Sequence, residues 1–300
     1  MEIKAAAPTA ASASQAIRDY LSLLKPRVMS LVVFTGFAGL YLAPGDLNTG
    51  LAAVAVLCIA LGAGASGAIN MWYDRDIDAV MTRTCGRPIP TGRVGADDAL
   101  AFGVILSGMS VMVMGLATNW AAAALLAATI GFYVFIYTMW LKRRTPQNIV
   151  IGGASGAVPP VIGWAAVTGD VSALPLVMFL IIFMWTPPHF WALSLYRSED
   201  YKAAGVPMLP VVSGRRETQK QILIYTLFLV PITLLPAAFE TVGALTYGLP
   251  AAAFGVMFLL SAWRVFRDAS EKNCRRLFGF SIFYLFVLFM LLIIDQAAGL

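Results

Sequence analysis

The segment Asn70-Met71-Trp72-Tyr73-Asp74-Arg75-Asp76-Ile77-Asp78 comes directly after an apolar stretch over residues 51–69 that is long enough to cross a bilayer. Within the segment, Asn70, Asp74 and Asp78 recur at every fourth position. On an α-helix, a step of four residues turns about 40° beyond one full turn and rises ~6 Å, so these side chains share one face. The segment therefore predicts a membrane-spanning helix that ends in a line of three oxygen-bearing side chains.

Two arginines follow this line within nine residues, in Met81-Thr82-Arg83-Thr84-Cys85-Gly86-Arg87-Pro88. Carboxylate and amide oxygens are the ligands that Mg²⁺ prefers, and Mg²⁺ is commonly held by one or two carboxylates together with substrate phosphates. The planar guanidinium fork of arginine matches phosphate oxygens. We therefore predict a magnesium diphosphate site in which Asn70, Asp74 and Asp78 are the catalytic and metal-binding residues. Arg83 and Arg87 are expected to bind the diphosphate.

The amino-acid composition indicates that this site lies in a membrane protein. Hydrophobic residues make up 59% of the 300 residues, charged residues 12%, and the mean hydropathy is +0.78, which excludes an ordinary soluble domain. Nine apolar stretches are long enough to span a bilayer as helices. They cover residues 28–44, 51–69, 99–117, 120–141, 149–167, 174–191, 222–239, 242–263 and 277–294.

The 21 Lys and Arg residues all fall on one predicted side of the membrane. Four lie in the N-terminal arm, and the others lie between spans two and three, four and five, six and seven, and eight and nine. Because cytoplasmic loops are enriched in Lys and Arg, we expect a cytoplasmic N-terminus and an external C-terminus. The net charge of +5 therefore indicates topology, and we expect no nucleic-acid partner.

The first 26 residues lack the apolar core of a cleavable signal peptide. We expect residues 1–26 to form a flexible cytoplasmic arm, with a short amphipathic helix over residues 16–24, and residues 27–300 to form a single nine-helix domain. The three cysteines have no metal-ligand or redox spacing, so no disulfide framework is expected. A single histidine excludes a histidine-rich metal centre.

A second polar segment follows span six, in Tyr196-Arg197-Ser198-Glu199-Asp200-Tyr201-Lys202. Like the first segment, it lies at the cytoplasmic end of an apolar helix. The two segments would converge if spans two and six were neighbours in the bundle. Asp200 and Tyr201 are the candidates for a second polar site.

The pattern Asn70-x-x-x-Asp74-x-x-x-Asp78 followed by Arg83-Thr84-x-x-Arg87-Pro88 resembles the signature of the UbiA-type intramembrane prenyltransferases, and the resemblance extends over the whole chain. It implies an all-α fold of nine transmembrane helices around a central cavity. It also implies that Mg²⁺ and an isoprenyl diphosphate bind at the cytoplasmic mouth of this cavity.

Two segments are similar to the haem-farnesylating subgroup of that family: residues 70–84, and Asp200-Tyr201-Lys202-Ala203-Ala204-Gly205-Val206-Pro207-Met208-Leu209-Pro210. The subgroup implies farnesyl diphosphate as donor and a vinyl group of haem B as acceptor, with hydroxylation, giving haem O for terminal oxidases. It also implies the bacterial inner membrane as location, membrane lipid as surroundings, and haem A synthase or terminal oxidase assembly factors as protein partners.

The second segment departs from the pattern of many UbiA-type enzymes, which carry a pair of aspartates four residues apart after span six. Here Asp200 has Tyr196 before it and Ala204 after it, so the second carboxylate is missing. This shifts the expected diphosphate contacts onto Tyr196, Arg197, Lys202 and Arg143. It also argues against a hydroxybenzoate-type acceptor.

His189 follows Pro187-Pro188 near the end of span six, where an ionisable residue suggests function. It is a candidate haem-binding residue that contacts the haem iron or a propionate; alternatively, it hydrogen-bonds a carbonyl freed by the prolines. Two alternatives for the chain also stay open. One is a UbiA-type prenyltransferase for a quinone precursor or a chlorophyll-type tetrapyrrole, and the other is a membrane transporter.

Overall fold

The computed structural model describes residues 13–299, and this part of the chain contains helices but no strands. The α-helices are α1 Ala13–Leu23, α2 Pro26–Leu42, α3 Thr49–Tyr73, α4 Arg75–Val80, α5 Ala96–Ala117, α6 Trp120–Gly131, α7 Asn148–Ala157, α8 Pro159–Thr168, α9 Ala173–Tyr196, α10 Ser198–Ala203, α11 Leu209–Val212, α12 Gly214–Ile232, α13 Leu249–Arg267 and α14 Glu271–Ala298. A π-helical segment, Phe132–Leu141, continues α6, and a shorter one, Ala244–Gly248, precedes α13; Leu235–Ala238 forms a 3₁₀ turn after α12.

Each of the nine predicted spans overlaps a helical run. Within residues 13–299, eight runs are long and apolar enough to cross a membrane, and the pair α1 and α2, bent by 54°, provides a ninth. Large apolar side chains cover the outside of the bundle; Ile105, Leu116 and Leu245, for example, are 62%, 75% and 80% exposed. Such a surface is stable against lipid and not against water. The protein is therefore an integral membrane protein.

Six of the spans form a closed ring. Helix α2 packs on α3, α3 on the π-helical segment Phe132–Leu141, and that segment on α7. Helix α7 then packs on α9, α9 on α14, and α14 on α2. The remaining spans pack on the outside of this ring, with α5 on α3 and α12 on α9. The ring places the C-terminal ends of α3 and α9 on opposite sides of one interior.

Helices α2 and α8 approach each other closely because glycines lie where they cross. A Cβ atom on Gly39 would lie 2.0 Å from the Pro160 carbonyl oxygen, and one on Gly163 would lie 2.0 Å from the Gly36 carbonyl oxygen. No side chain fits in either space, so the contact depends on glycine. The contact holds the first span against the second half of the fifth.

The segment predicted as a flexible arm over residues 1–26 is helical over Ala13–Leu23, close to the amphipathic helix predicted over residues 16–24. Leu23 is fully buried. Asp19 accepts a hydrogen bond of 2.9 Å from Arg93 Nε, which fastens α1 to the loop before α5. The first twelve residues of the predicted arm lie outside the described residues, and the single domain over residues 27–300 stays a prediction.

Candidate active site

Asn70, Asp74 and Asp78 lie on one buried line at the C-terminal end of α3. The exposed fractions of these residues are 4%, 0% and 3%. The Asp74 N–H donates to the Asn70 carbonyl at 2.9 Å, and the Asp78 N–H donates to the Asp74 carbonyl at 2.8 Å. Asp74 itself separates α3 from α4. The helical spacing predicted from the sequence thus continues across the junction, because the i to i−4 hydrogen bonds are kept.

Every side chain of this line contacts a basic side chain. Lys25 Nζ donates to Asn70 Oδ1 at 2.8 Å, and Lys142 Nζ donates to Asp74 Oδ2. Arg87 Nη1 lies 2.6 Å from Asp78 Oδ2. Buried carboxylates keep their charge when such partners and hydrogen bonds surround them. We call Asn70, Asp74, Asp78, Lys25, Lys142 and Arg87 the polar core.

Asn70 connects the polar core to the fourth span. Its Nδ2 donates to Asp74 Oδ2 at 2.7 Å and to Thr138 Oγ1 at 3.2 Å. Thr138 is fully buried in the π-helical segment, together with a pair of tyrosines, Tyr133 and Tyr137, whose ring centroids lie 5.2 Å apart. Short π-helical turns inside transmembrane helices often occur at functional sites. Here the turn carries three polar side chains next to the buried carboxylates.

Lys25 reaches the polar core from an unusual backbone conformation. It lies between α1 and α2 with φ 51° and ψ 52°, and it is the one residue other than glycine with positive φ within residues 13–299. This left-handed conformation costs a non-glycine residue about 1–2 kcal/mol. Contacts elsewhere must therefore hold it in place, and the hydrogen bond to Asn70 is one of them.

Arg143 connects this region to the surface. Its two terminal nitrogens donate to the Asp76 carboxylate at 2.7 and 2.8 Å, and its Nη2 lies 3.5 Å from Asp74 Oδ1. The hydrogen bonds from Arg143 lower the pKa of Asp76 to about 2, and those to Asp76 raise the pKa of Arg143. Arg143 also lies 5.0 Å from the centroid of the Tyr73 ring. It is therefore held between the exposed Asp76 and the buried Asp74.

The second polar segment meets the first where the loop after α4 contacts α10. Thr82 Oγ1 donates to the Asp200 carboxylate, with both oxygens at 2.9 Å. Tyr201 packs in a small apolar cluster with Ile77 and Met81. The predicted convergence of the two segments is confirmed, although α3 and α9 are separated in the ring by the π-helical segment and α7.

The remaining predicted diphosphate contacts lie around this junction. Arg197 Nη1 lies 3.9 Å from Asp200 Oδ2. The Tyr196 ring lies under two guanidinium groups, with Arg275 at 4.8 Å and Arg197 at 5.8 Å from its centroid. Arg83 and Lys202 are exposed. The structure thus brings Asp200, Arg197 and Tyr196 together and leaves Arg83 and Lys202 on the surface of the same region.

His189 lies on α9 and is 7% exposed. Its Nδ1 is 2.7 Å from Ser281 Oγ on α14. Its ring stacks between Trp185 at 4.3 Å and Phe278 at 4.5 Å. The predicted bond to a carbonyl freed by the prolines is therefore not formed; the partner is a hydroxyl on the last span.

Sequence reasoning did not assign Lys25, Lys142, Thr82 or Thr138 to the site. Lys142 stands beside the predicted Arg143, but three adjacent cations after a span are typical of a topology signal. Thr82 lies between the carboxylate line and Arg83, and this position was the only sign in the sequence that it belongs to the site. Neither Lys25 nor Thr138 belongs to a pattern that would separate it from an ordinary loop lysine or helix threonine.

The sequence matches the UbiA prenyltransferase family over residues 32–291. The chain belongs to the UbiA prenyltransferase family. This UbiA prenyltransferase is 62% identical over 287 residues to a protoheme IX farnesyltransferase of Parvibaculum lavamentivorans, with 94% of this chain and 90% of the relative covered. It is 61% identical over 287 residues to a protein of the same name from Acidiphilium cryptum, with 93% and 90% covered.

The UbiA prenyltransferase also resembles a solved structure of a UbiA homolog from Archaeoglobus fulgidus bound to GPP and Mg²⁺. The TM-score is 0.68 at 16% identity, over 92% of this chain and 99% of that one. This likeness concerns the fold and confirms the predicted all-α UbiA-type architecture. The family confirms the predicted prenyltransferase class and leaves the transporter alternative without support.

Proposed function

We propose that this UbiA prenyltransferase transfers the farnesyl group of farnesyl diphosphate to a vinyl group of haem B, with hydroxylation by the addition of water, and so forms haem O and releases diphosphate. The observation that carries the proposal is the polar core, a buried line of three oxygen-bearing side chains in which each contacts a Lys or Arg side chain. The relatives named protoheme IX farnesyltransferase, at 62% and 61% identity, support farnesyl diphosphate and haem as the substrates.

Asn70, Asp74 and Asp78 fit a magnesium ion bound together with a diphosphate. They offer amide and carboxylate oxygens, the donors that Mg²⁺ prefers, and Asp74 and Asp78 lie one helical turn apart. Mg²⁺, when bound, would neutralise the negative charge that develops on the leaving diphosphate. The Mg²⁺ bound with GPP in the Archaeoglobus fulgidus homolog supports this assignment.

The basic side chains of the site are placed to receive the diphosphate. Lys25, Lys142 and Arg87 already contact the three oxygen-bearing residues, so each is held in position before substrate arrives. Preorganised cations stabilise charge that builds on a leaving group without having to reorganise during the reaction. Arg83, Arg143, Arg197, Lys202 and Tyr196, at the rim of the same region, are proposed to bind the outer phosphate oxygens. Asp200 and Tyr201 then hold the second segment against the first.

The apolar interior serves the carbon chain of the donor. Breaking the allylic carbon–oxygen bond leaves a cation that water would capture, so a dry site is needed. Tyr133 and Tyr137 on the π-helical segment are half-buried, and their ring centroids lie 5.2 Å apart. Their ring faces can stabilise the allylic cation through cation–π attraction.

The proposed orientation of the chain in the membrane follows from the distribution of its basic residues. With every Lys and Arg residue in the N-terminal arm or in alternate loops, we propose a cytoplasmic N-terminus, an external C-terminus and a location in the bacterial inner membrane. The diphosphate site then opens to the cytoplasm. Partnership with haem A synthase or terminal oxidase assembly factors stays a prediction.

The decisive experiment incubates the purified chain in detergent with haem B, farnesyl diphosphate and Mg²⁺. Mass spectrometry should detect a farnesylated haem, and a chelator should abolish it. If haem is unchanged but farnesyl diphosphate is consumed with a quinone precursor or a chlorophyll-type tetrapyrrole, the acceptor is wrong and the prenyltransferase assignment stands. Consumption of no substrate by folded protein would contradict the proposal.

A further inference from the structure

His189 and Ser281 join the sixth and ninth spans in the interior of the bundle. His189 Nδ1 lies 2.7 Å from Ser281 Oγ, and the two residues are 7% and 0% exposed. The histidine takes no part in the polar core or in the contacts of the second polar segment. A buried histidine with one defined partner in this position calls for its own explanation.

The hydrogen bonds around Ser281 decide which nitrogen of His189 carries the proton. Ser281 Oγ donates to the Phe278 carbonyl at 2.7 Å. A hydroxyl has one proton, so the same oxygen can only accept from the imidazole. His189 is therefore the tautomer with a proton on Nδ1, and its Nε2 carries a free lone pair. Within residues 13–299, the hydrogen bond between Nδ1 and Ser281 Oγ is the one that the His189 ring forms.

The ring is also held in a fixed plane. Trp185 stacks on one side with an interplanar angle of 17°, and Phe278 on the other with 22°. Trp185 Nε1 donates to the Ser281 carbonyl at 2.8 Å, so the indole is attached to the same turn of α14 that holds the imidazole. The ring therefore cannot rotate without breaking both stacking contacts.

A neutral imidazole with a bare Nε2, whose other nitrogen donates to a fixed acceptor, is the usual state of a metal-binding histidine. The aromatic surroundings suit a flat apolar macrocycle and not a hydrated ion. His189 lies seven residues before the C-terminal end of α9, a distance of roughly 10 Å along the helix.

We propose that Ser281 is a positioning residue, which fixes the Nδ1–H tautomer of His189 so that Nε2 binds the iron of the haem substrate. This inference rests on the proposed function for the identity of the acceptor. It adds that α14, which carries no residue of the sequence signature, helps to hold the acceptor. The interaction is a coordinate bond, so it forms and breaks without any change in oxidation state.

The experiment titrates haem B into the purified full chain in detergent and follows the Soret band. Wild type should show the band of imidazole-ligated iron, and His189→Ala should lose it. Added imidazole should restore the band in His189→Ala, which a purely structural role would not predict. Ser281→Ala should weaken haem binding roughly 10- to 100-fold, as the loss of a partner that orients a metal ligand does. Ser281→Thr, which keeps the hydroxyl, should bind haem more tightly than Ser281→Ala.

Ser194→Ala is the matched control. Ser194 is fully buried on α9 and donates to the Trp191 carbonyl at 3.0 Å, which is the same local bond that Ser281 makes, without a histidine partner. Its haem affinity should equal that of wild type. A Soret band unchanged in His189→Ala, or a haem affinity unchanged in Ser281→Ala, would overturn the inference.

The mass-spectrometric assay separates this inference from the proposed function. If wild type forms farnesylated haem and the Soret band does not depend on His189, the inference fails and the proposed function stands. If the band depends on His189 and Ser281 but no farnesylated haem forms, the proposed transfer fails and the assignment of the iron ligand stands.

Discussion

Thr82 Oγ1 lies 2.9 Å from both carboxylate oxygens of Asp200, across a sequence separation of 118 residues. This contact joins the loop after α4, which follows the carboxylate line, to α10, which follows the sixth span. It is the place where the two polar segments of the sequence become one site. Thr82 is exposed, so the bond contributes more to the arrangement of the two loops than to stability.

Thr82→Val should therefore affect activity more than folding. We expect the KM for farnesyl diphosphate to rise several-fold, because Asp200 and its neighbour Arg197 lose their link to the first segment. The free energy of unfolding should fall by less than ~1 kcal/mol, since the bond is exposed to water. Steady-state kinetics and thermal unfolding check both values. Thr82→Ser should behave as wild type; equal KM in Thr82→Val and wild type would contradict the role.

Asp74→Asn and Asp78→Asn should each lower kcat by at least ~100-fold, because each removes charge from the proposed magnesium site while keeping the shape of the side chain. Single-turnover assays with saturating substrates provide the measurement. Asp97→Asn is the matched control, since Asp97 is an exposed acid in the first turn of α5. Near-normal turnover of both core variants would remove the proposed magnesium role.

Arg87→Lys should raise the KM for farnesyl diphosphate about tenfold, because an ammonium keeps the charge beside Asp78 but cannot reproduce the planar fork. Arg93→Lys is the matched control for Arg87→Lys. Arg93 is bound to Asp19 and the Gly86 carbonyl, outside the polar core, so its replacement should lower the melting temperature and leave KM unchanged. Equal KM values in the two variants would argue against phosphate binding by Arg87.

Lys25→Gly should separate stability from activity. Glycine relieves the left-handed backbone strain, worth about 1–2 kcal/mol, while Asn70 Oδ1 loses a buried hydrogen bond of similar size. We therefore expect an unfolding free energy within about 1 kcal/mol of wild type and turnover reduced by roughly tenfold or more. A protein that unfolds easily but keeps its specific activity would show that Lys25 serves the fold alone.

The stability contributed by the Asp76–Arg143 pair should change with pH only in acid. The pKa of Asp76 is lowered to about 2 from its ordinary 3.8, so the pair stabilises the fold above pH ~4 and is lost as the pH falls through 2. Because the Asp76 side chain is 62% exposed, the contribution should stay below about 1 kcal/mol. Unfolding of wild type and Asp76→Asn, compared at several pH values, should give a constant difference from pH 5 to 8. A difference that changes within that range would contradict this pKa.

The spans could be predicted from the sequence because hydropathy is a property of short stretches, and each of the nine stretches overlaps a helical run. The interruptions within them were harder to predict. The fourth span becomes π-helical at Phe132, where no proline or glycine pair marks a break, and this segment packs between α3 and α7. The segment expected to be a flexible arm is a helix over Ala13–Leu23, since Leu23 and Asp19 find partners that lie far away in the chain.

The sequence by itself determined the membrane class, the one-sided distribution of charge and the line of Asn70, Asp74 and Asp78, because these depend on composition and on helical repeat over a few residues. Only the tertiary structure decided which cation meets which oxygen. Lys25 is 45 residues from Asn70, and Lys142 is 68 residues from Asp74. The same holds for Ser281, 92 residues from His189. Such pairs form because six helices close into a ring, and the order of helices in that ring is set by packing between distant segments.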